Sequence, residues 1–175
     1  MVYSFAVVTL NLDYSTAEIQ KRIPVTNVQL GAIFARMAMR LKREPEWLSC
    51  SDFLGAKACL KANILFCDDT EMKAFQKQFR GLARTTDVLS FPTRELTPSS
   101  LKALSGARAQ LTLGDIVVSI SAVERGAKRA KRSVKAELME VVVHGLLHLV
   151  GFDHVGSKSK ATRMRALQRE VLSSL

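Results

Sequence analysis

The 175-residue sequence is poor in the residues that mark fibrous, linker-rich and membrane-spanning chains. It has only 9 glycines and 4 prolines, which excludes a collagen-like chain. Its longest apolar stretch, Val141–Phe152, is too short for a transmembrane helix and contains two histidines. The first residues lack the basic segment of a secretory signal. With 47% hydrophobic and 24% charged residues, the composition predicts a single globular domain over residues 1–175.

Cysteine is also scarce, and its pattern predicts neither a disulfide framework nor a thiolate metal site. The three cysteines, Cys50, Cys59 and Cys67, are odd in number and lie at no metal-binding spacing. We interpret them as free thiols in a reducing compartment, which predicts a cytoplasmic protein with no membrane association. The sequence contains neither a P-loop nor a dinucleotide-binding glycine motif, so no nucleotide cofactor is expected.

Acidic residues are outnumbered, 16 against 26 basic ones, and the formal net charge is +10. The excess is concentrated in two blocks, residues 119–135 and residues 155–175, on either side of a short acidic and apolar segment. Such blocks favour a polyanionic partner, most simply nucleic acid, although two solvated helix faces would have the same composition. No aromatic residue interleaves with them, so RNA would be held by its backbone. The candidate RNA contacts in the first block are Lys128, Arg129, Lys131 and Arg132.

Hydrophobic periodicity predicts an α+β fold in which a small mixed four-stranded sheet is packed by about five helices. Strands are expected over residues 2–10, 58–67, 86–91 and 113–119, and helices over about 26–44, 69–80, 121–131, 134–150 and 159–172. The run Asp68-Asp69-Thr70 offers an N-cap for the second of these helices, Ser133 is a predicted N-cap, and Gly81 and Gly151 are predicted helix ends. Residues 11–24 look irregular, and residues 93–111 look like a long loop. Two apolar helix faces are predicted, one with Val28, Ile33, Phe34, Met37 and Leu41 and one with Met72, Phe75 and Phe79.

Histidine is rare, and all three histidines lie in one eleven-residue stretch. His144 and His148 are four residues apart, so they project from the same helix face. Gly151 can turn the chain so that His154 faces them. Three imidazoles leave a fourth tetrahedral position open, which is typical of a catalytic zinc site, and nickel, copper and iron are alternative metals.

Zinc peptidases of the H-E-x-x-H-x-x-G-x-x-H class share this spacing, but Gly145 stands where they have their glutamate base. The pattern therefore predicts a metal-dependent hydrolase that is not a peptidase. Met164 either lies beneath the metal, as a methionine does in those enzymes, or belongs to the core. Zinc-activated water and cationic stabilisation of a phosphoryl oxygen suit phosphodiester cleavage, in agreement with the positive charge.

Three blocks of the sequence resemble the YbeY family. Residues 144–154, HGLLHLVGFDH, match the family signature H-G-x-L-H-L-x-G-[YF]-D-H at every defined position. Residues 80–92, RGLARTTDVLSFP, are similar to R-G-x-x-x-x-T-[DN]-V-L-S-F-P, and residues 113–117 are similar to the L-G-D-I segment. The order of the blocks agrees over about residues 58–172, whereas residues 1–57 carry no motif that matches.

The chain departs from the family pattern at two single positions and in one linker. Thr85 stands where many members have proline, and Gln168 stands where members often have glutamate. The linker between residues 113–117 and the histidines is unusually basic. No role is assigned to Gln168.

The resemblance implies a single-strand-specific, metal-dependent endoribonuclease that acts in ribosomal RNA maturation, notably at the 3′ end of small-subunit rRNA, and in ribosome quality control. It implies one zinc ion per chain with His144, His148 and His154 as ligands and as part of the catalytic centre, and a catalytic Arg80 beside the metal. The implied fold is a small mixed sheet with a three-histidine metal cleft. The implied partners are RNA, the small ribosomal subunit, and its proteins or assembly GTPases.

Other polar residues have two interpretations each. Asp153 either orients a histidine ligand or forms an Asx turn. Ser90 either contacts substrate or ends a strand without a function. Asp87 and Asp115 are either a carboxylate pair or residues that terminate strands and cap loops. At the level of function, the alternative to the enzyme is a non-catalytic, zinc-containing rRNA-binding assembly factor, and the open fourth coordination position favours the enzyme.

Overall fold

The computed structural model of the protein describes residues 7–41, 59–93, 110–152 and 158–173. The described part contains four strands and six helices: β1 Val7–Tyr14, α1 Ala17–Arg22, α2 Asn27–Leu41, β2 Cys59–Cys67, α3 Asp69–Arg80, β3 Val88–Pro92, β4 Gln110–Ser119, α4 Ile120–Ala130, α5 Val134–Leu149 and α6 Lys158–Leu172. The predicted α+β class and the four strands are confirmed. Cys50 and most of the predicted loop 93–111 lie outside the described residues.

The helix that the sequence analysis missed is α1, which lies in the stretch that looked irregular. It is only six residues long, so it has too few turns to show an apolar periodicity. Its start is a local signal: the Thr16 hydroxyl accepts a hydrogen bond from the backbone N–H of Ile19. The end of the first strand was predicted too early, because β1 continues to Tyr14, and residues 2–6 of the prediction lie outside the described residues.

The sheet is mixed, with the strand order β1-β2-β4-β3. β1, β2 and β4 are parallel, and the edge strand β3 runs antiparallel to β4. The β2–β4 register shifts by one residue at Gly114, whose φ is +140°. A Cβ atom at this position would overlap with the carbonyl oxygen of Phe91 on β3. Glycine is therefore required in the L-G-D-I segment because β3 approaches it so closely.

Helices cover the two faces of the sheet unequally. The main core lies on one face, where α2 and α5 pack on strand residues such as Ile64, Ile116 and Val118. The opposite face carries a smaller cluster in which Met72 of α3 packs with Leu89 and Val117. Because strand side chains alternate between faces, the histidine helix α5 and the helix α3 that ends at Arg80 lie on opposite sides of the sheet.

A polar network fastens α3 to the rest of the fold. Asp68 forms a capping box with Glu71, as predicted for an N-cap. The next residue, Asp69, accepts hydrogen bonds from Ser119 Oγ at 2.7 Å and Thr85 Oγ1 at 3.0 Å, and it pairs with Arg125. These donors, Arg125 first, lower the pKa of Asp69 to about 2. Thr85 thus ties the loop that follows Arg80 to the start of the same helix.

Both predicted apolar faces include one residue that the structure leaves in solvent. Val28 is 80% exposed, and Phe79 is 52% exposed although its ring stacks with Phe75. Cys59 and Cys67 are free thiols, as predicted, and burial raises the pKa of Cys67 to about 12. Among the described helices, none combines the length and the apolar character needed to cross a membrane.

Candidate metal centre

The helix that carries His144 and His148 begins and ends where the sequence predicts. The Ser133 hydroxyl accepts a hydrogen bond from the backbone N–H of Ala136 at the start of α5. After the helix, Gly151 adopts a φ of +88° and its N–H donates to His148 O at 3.0 Å. The chain therefore turns immediately after the second histidine, which is the turn that the metal-site hypothesis requires.

The two imidazoles of His144 and His148 converge through the same ring atom. Their Nε2 atoms are 3.2 Å apart, and their ring planes cross at 78°. Two nitrogen ligands of a tetrahedral zinc ion are about 3.3 Å apart when each Zn–N bond is about 2.0–2.1 Å. The observed separation fits two ligands of one zinc ion, and both rings are half-buried rather than enclosed in the core.

The third predicted ligand, His154, and its neighbour Asp153 belong to residues 153–157, outside the described part of the chain. Within the described residues, no group of three or more histidine, cysteine, aspartate or glutamate side chains is arranged to hold a metal ion. The described structure thus supplies the His144–His148 pair, and the contribution of His154 stays a prediction.

Gln168, to which the sequence analysis assigned no role, contacts the first histidine. Its side chain on α6 is 8% exposed, and its Oε1 atom lies 3.4 Å from Nδ1 of His144. Its Nε2 atom donates to the carbonyl oxygen of Glu140 at 3.3 Å, which fixes the orientation of the amide. Because Oε1 only accepts, this contact favours the tautomer of His144 with its proton on Nδ1, in which Nε2 is the nitrogen that would coordinate a metal. The available signal was a polar residue on the buried face of α6, beside Leu167 and Val171.

Gly145 faces the sheet rather than the open side of α5. A Cβ atom here would lie 3.1 Å from methyl groups of both Val88 and Ile116. A glutamate at this position, as in the zinc peptidases, would have to enter that contact. The hydroxyl of Ser90 donates to the carbonyl oxygen of Gly145 at 3.2 Å, so the contacts of Ser90 support a role in holding α5 on β3.

Arg132 reaches the surroundings of His144 but is engaged by acidic side chains. It lines a cavity of about 160 Å³ together with His144 and Gln168. Its guanidinium pairs with Glu137 and Glu140, and these partners, Glu137 first, raise the pKa of Arg132. An RNA contact by Arg132 would therefore compete with two carboxylates.

The other predicted RNA contacts, Lys128, Arg129 and Lys131, are exposed at the opposite end of the histidine helix. They surround the end of α4, where Lys131 is the C-cap residue with a φ of +51°. From the start of α5 to His144 the helix rises about 15 Å. The structure does not bring this block to the imidazoles.

Arg80 and the histidines are linked through the edge strand β3. Arg80 is the exposed last residue of α3, and Gly81 ends the helix in the left-handed conformation, as predicted. The neighbouring Phe79 ring packs edge-on against Phe91 of β3, with centroids 4.9 Å apart. The residue before Phe91 is Ser90, which binds α5 from the other face. Arg80 thus lies beside the strand that supports the histidine helix.

The structure bears on the interpretations of Asp87, Asp115 and Met164, and it contradicts strand termination for Asp115, which lies inside β4. Asp87 and Asp115 do not form a carboxylate pair, because the residue opposite Asp115 is Phe91 and Asp87 lies about 13 Å further along β3. Asp115 instead accepts from Asn63 Nδ2 at 2.6 Å. Met164 is buried in the main core and also lines a small cavity beside His144.

Comparison with known proteins identifies relatives of the chain. A family model described as "Endoribonuclease YbeY" matches residues 29–175, so the likeness extends into α2, in a region where the sequence analysis found no matching motif. The proteins named Endoribonuclease YbeY include one from Pelotomaculum thermopropionicum, 38% identical over 66% of this chain and 72% of its own length. Another, from Magnetococcus marinus, is 30% identical over 77% of this chain and 92% of its own length.

A solved structure supports the fold. The solution structure of a Thermotoga maritima protein superposes with a TM-score of 0.54 at 23% sequence identity, covering 95% of this chain and 91% of that protein. At this identity the likeness concerns the fold alone.

Proposed function

The chain belongs to the YbeY family of endoribonucleases, and from that premise we propose that it is a zinc-dependent endoribonuclease centred on His144 and His148. The observation that carries the proposal is the convergence of the two Nε2 atoms at 3.2 Å. His154 is the proposed third ligand, so that one zinc ion is held per chain and one coordination position stays open. Residues 1–175 act in this proposal as one domain.

The residues of the chain hold and orient the centre. His144 and His148 would hold the ion through their Nε2 atoms, and Gln168 would accept a hydrogen bond from Nδ1 of His144. When bound, zinc supplies Lewis-acid activation of water and of a phosphoryl oxygen. Zinc peptidases carry their glutamate base at the position of Gly145, and in this chain that position packs on the sheet. The lack of a base at this position favours phosphodiester over peptide substrates.

The proposed substrate is single-stranded RNA, and the proposed setting is the cytoplasm. The net charge of +10 attracts a polyanion, and the relatives are named endoribonucleases. The resemblance extends the proposal to maturation of small-subunit rRNA at its 3′ end and to ribosome quality control, with the small subunit and its proteins or assembly GTPases as partners.

Arg80 is proposed to stabilise the phosphate in the transition state. Arg80 is exposed at the end of α3, next to Phe79, which packs on the edge strand β3, and a planar guanidinium can hold two phosphoryl oxygens at once. Lysine keeps the charge but loses this fork. Arg80→Lys is therefore expected to lose about 2.7–4 kcal/mol of transition-state stabilisation, as for removal of one preorganised donor.

The test combines metal analysis with single-turnover cleavage of a single-stranded RNA. The wild type should carry zinc and cleave, His148→Ala should lose both properties, and Arg80→Lys should keep zinc and RNA affinity but lose most of the rate. Arg84→Lys, an exposed arginine on the loop after α3, is the matched control and should cleave normally. If the wild type binds RNA and carries a full complement of zinc, but shows no cleavage activity that is lost in His148→Ala, the non-catalytic assembly factor is favoured instead. Equal losses in the two arginine variants would remove Arg80 from the mechanism.

A further inference from the structure

A large groove runs along α6 next to the candidate metal centre. It has a volume of about 810 Å³ and is lined by Thr162, Arg165 and Arg169 of α6, by Ser173 just after α6, and by Glu140 of α5. We call it the α6 groove. Arg165 and Gln168 also border a smaller cavity of about 120 Å³ whose wall includes His144. The groove and the candidate metal centre therefore share a wall.

Two positive charges in the α6 groove have no carboxylate partner among the described residues. Arg165 and Arg169 are exposed and four residues apart, so their side chains share one helix face about 6 Å apart along the axis. The nearby acidic groups are used elsewhere: Glu140 pairs with Arg132, and Glu170 pairs with Arg40. Like charges at this spacing destabilise a helix, and a bound anion would remove the repulsion.

The other polar groups of the groove contribute little to recognition. The hydroxyl of Thr162 donates to the carbonyl oxygen of Lys158, and that of Ser173 donates to the carbonyl oxygen of Glu170. Among the described residues that line the groove, none is aromatic, so a base would find no ring on which to stack. What the groove offers is a pair of guanidinium groups, which suit phosphate oxygens and are indifferent to base identity.

We propose that the α6 groove binds the sugar–phosphate backbone of single-stranded RNA, with Arg165 and Arg169 each contacting one phosphate. This inference rests on the proposed endoribonuclease function and adds the path by which the substrate leaves the metal centre. A groove of this size is too large for a single phosphate ion, and its open, elongated wall suits a chain of phosphates. In this proposal the RNA runs along α6 from the candidate metal centre, past the Gln168 side chain that contacts Nδ1 of His144.

The test is the salt dependence of RNA binding by the zinc-loaded protein. The probe is a 2′-O-methylated single-stranded RNA, which resists cleavage, and binding is followed by fluorescence anisotropy over a range of salt concentrations. For single strands the slope of log K against log salt changes by about 0.7 for each phosphate contact. R165Q/R169Q is therefore expected to reduce the slope by about 1.4, while zinc content stays unchanged and thermal stability does not fall.

The matched control is K21Q/K73Q, which removes the same number of charges from exposed residues of α1 and α3. Its slope should equal that of the wild type. An unchanged slope in R165Q/R169Q, or equal reductions in the two double variants, would overturn the proposal, because the effect would then follow net charge alone. Displacement of the RNA by polyglutamate as effectively as by unlabelled RNA would also overturn it, in favour of an acidic protein partner. Because binding is measured without cleavage, these outcomes stay separate from failure of the proposed enzyme activity.

Discussion

At the scale of single residues, Gln168 is placed to orient the ring of His144, a proposed zinc ligand. The side chain is buried, its amide is oriented by the carbonyl oxygen of Glu140, and its Oε1 atom faces Nδ1 of His144. Partners of this kind hold the ring orientation and the tautomer of a ligand, and their loss costs metal affinity without removing a ligand. As a glutamine, Gln168 provides this acceptor without a charge.

We expect Gln168→Leu to weaken zinc binding about 10–100-fold, because the Nδ1–H group of His144 loses its acceptor. Gln168→Glu keeps an acceptor at the same position and adds a negative charge beside the proposed ligand, so its zinc affinity should equal or exceed that of the wild type. Chelator competition measures both constants. Gln76→Leu is the control, since Gln76 is also a buried glutamine but lies on α3. Wild-type affinity in Gln168→Leu would show that the contact does not position the ligand.

At the scale of secondary-structure elements, the packing of α5 on the sheet depends on a glycine that helix propensity disfavours. Alanine would gain about 0.8–1.0 kcal/mol of propensity over glycine in a helix interior. At position 145, however, its Cβ would press on Val88 and Ile116, which are β-branched and stiff. Overpacking of a core contact costs about 1–3 kcal/mol. The packing cost exceeds the propensity gain.

Gly145→Ala should therefore lower the free energy of unfolding, by about 1 kcal/mol in net terms. Gly31→Ala provides the opposite case, since Gly31 lies in α2 and a methyl group added there would meet nothing within 4 Å. This second variant should be stabilised by up to about 1 kcal/mol. Urea denaturation of both variants measures the difference. Stabilisation of both would mean that α5 moves away from β3 at no cost.

The attachment of α3 predicts a dependence of stability on pH. The carboxylate of Asp69 has its pKa lowered to about 2, chiefly by Arg125, so its ionised form is stabilised in the folded state. The contribution is complete above the pKa of the unfolded chain, near 4, and is lost as the pH falls towards 2. Because the ion pair is partly exposed, we expect Asp69→Asn to cost only about 1 kcal/mol at neutral pH.

This difference between wild type and Asp69→Asn should shrink as the pH falls from about 4 to about 2, which urea unfolding at a series of pH values can follow. Asp13→Asn serves as the comparison, because Asp13 is exposed and accepts a hydrogen bond from its neighbouring backbone N–H group. A pH-independent difference would show that Asp69 acts through packing rather than through its charge.

At the scale of the whole molecule, two groups of basic residues lie at different distances from the candidate metal centre. Arg165 and Arg169 lie beside the candidate metal centre, whereas Lys128, Arg129 and Lys131 lie at the far end of α5, about 15 Å along the helix from His144. A short RNA can occupy the centre and the α6 groove without reaching the second group. A long RNA can reach both.

K128Q/R129Q is therefore expected to weaken the binding of a long single-stranded RNA and to lower its salt slope by up to about 1.4, with no effect on a short RNA. Anisotropy titrations with the two lengths measure this. Equal losses for both lengths would indicate that the block acts through the overall field of the protein rather than through contacts.

The sequence by itself determined the features that depend on neighbours along the chain. The spacing of His144 and His148 placed both on one helix face, Ser133 and Gly81 marked helix ends, and alternating apolar residues marked the strands. Each of these signals acts over a few residues, where helix and strand geometry leave few alternatives. The six-residue α1 was too short to give such a signal.

Only the tertiary structure decided which distant residues meet. Gln168 is 24 positions from His144 along the chain, and no local pattern shows that its amide supports that ring. The same holds for Arg132, a predicted RNA contact whose guanidinium pairs with Glu137 and Glu140. It also holds for Gly145 of α5, where a side chain would meet Val88 and Ile116 on two strands of the sheet. These roles depend on how helices dock on the sheet, which is set by packing of the whole core and not by the period of any one segment.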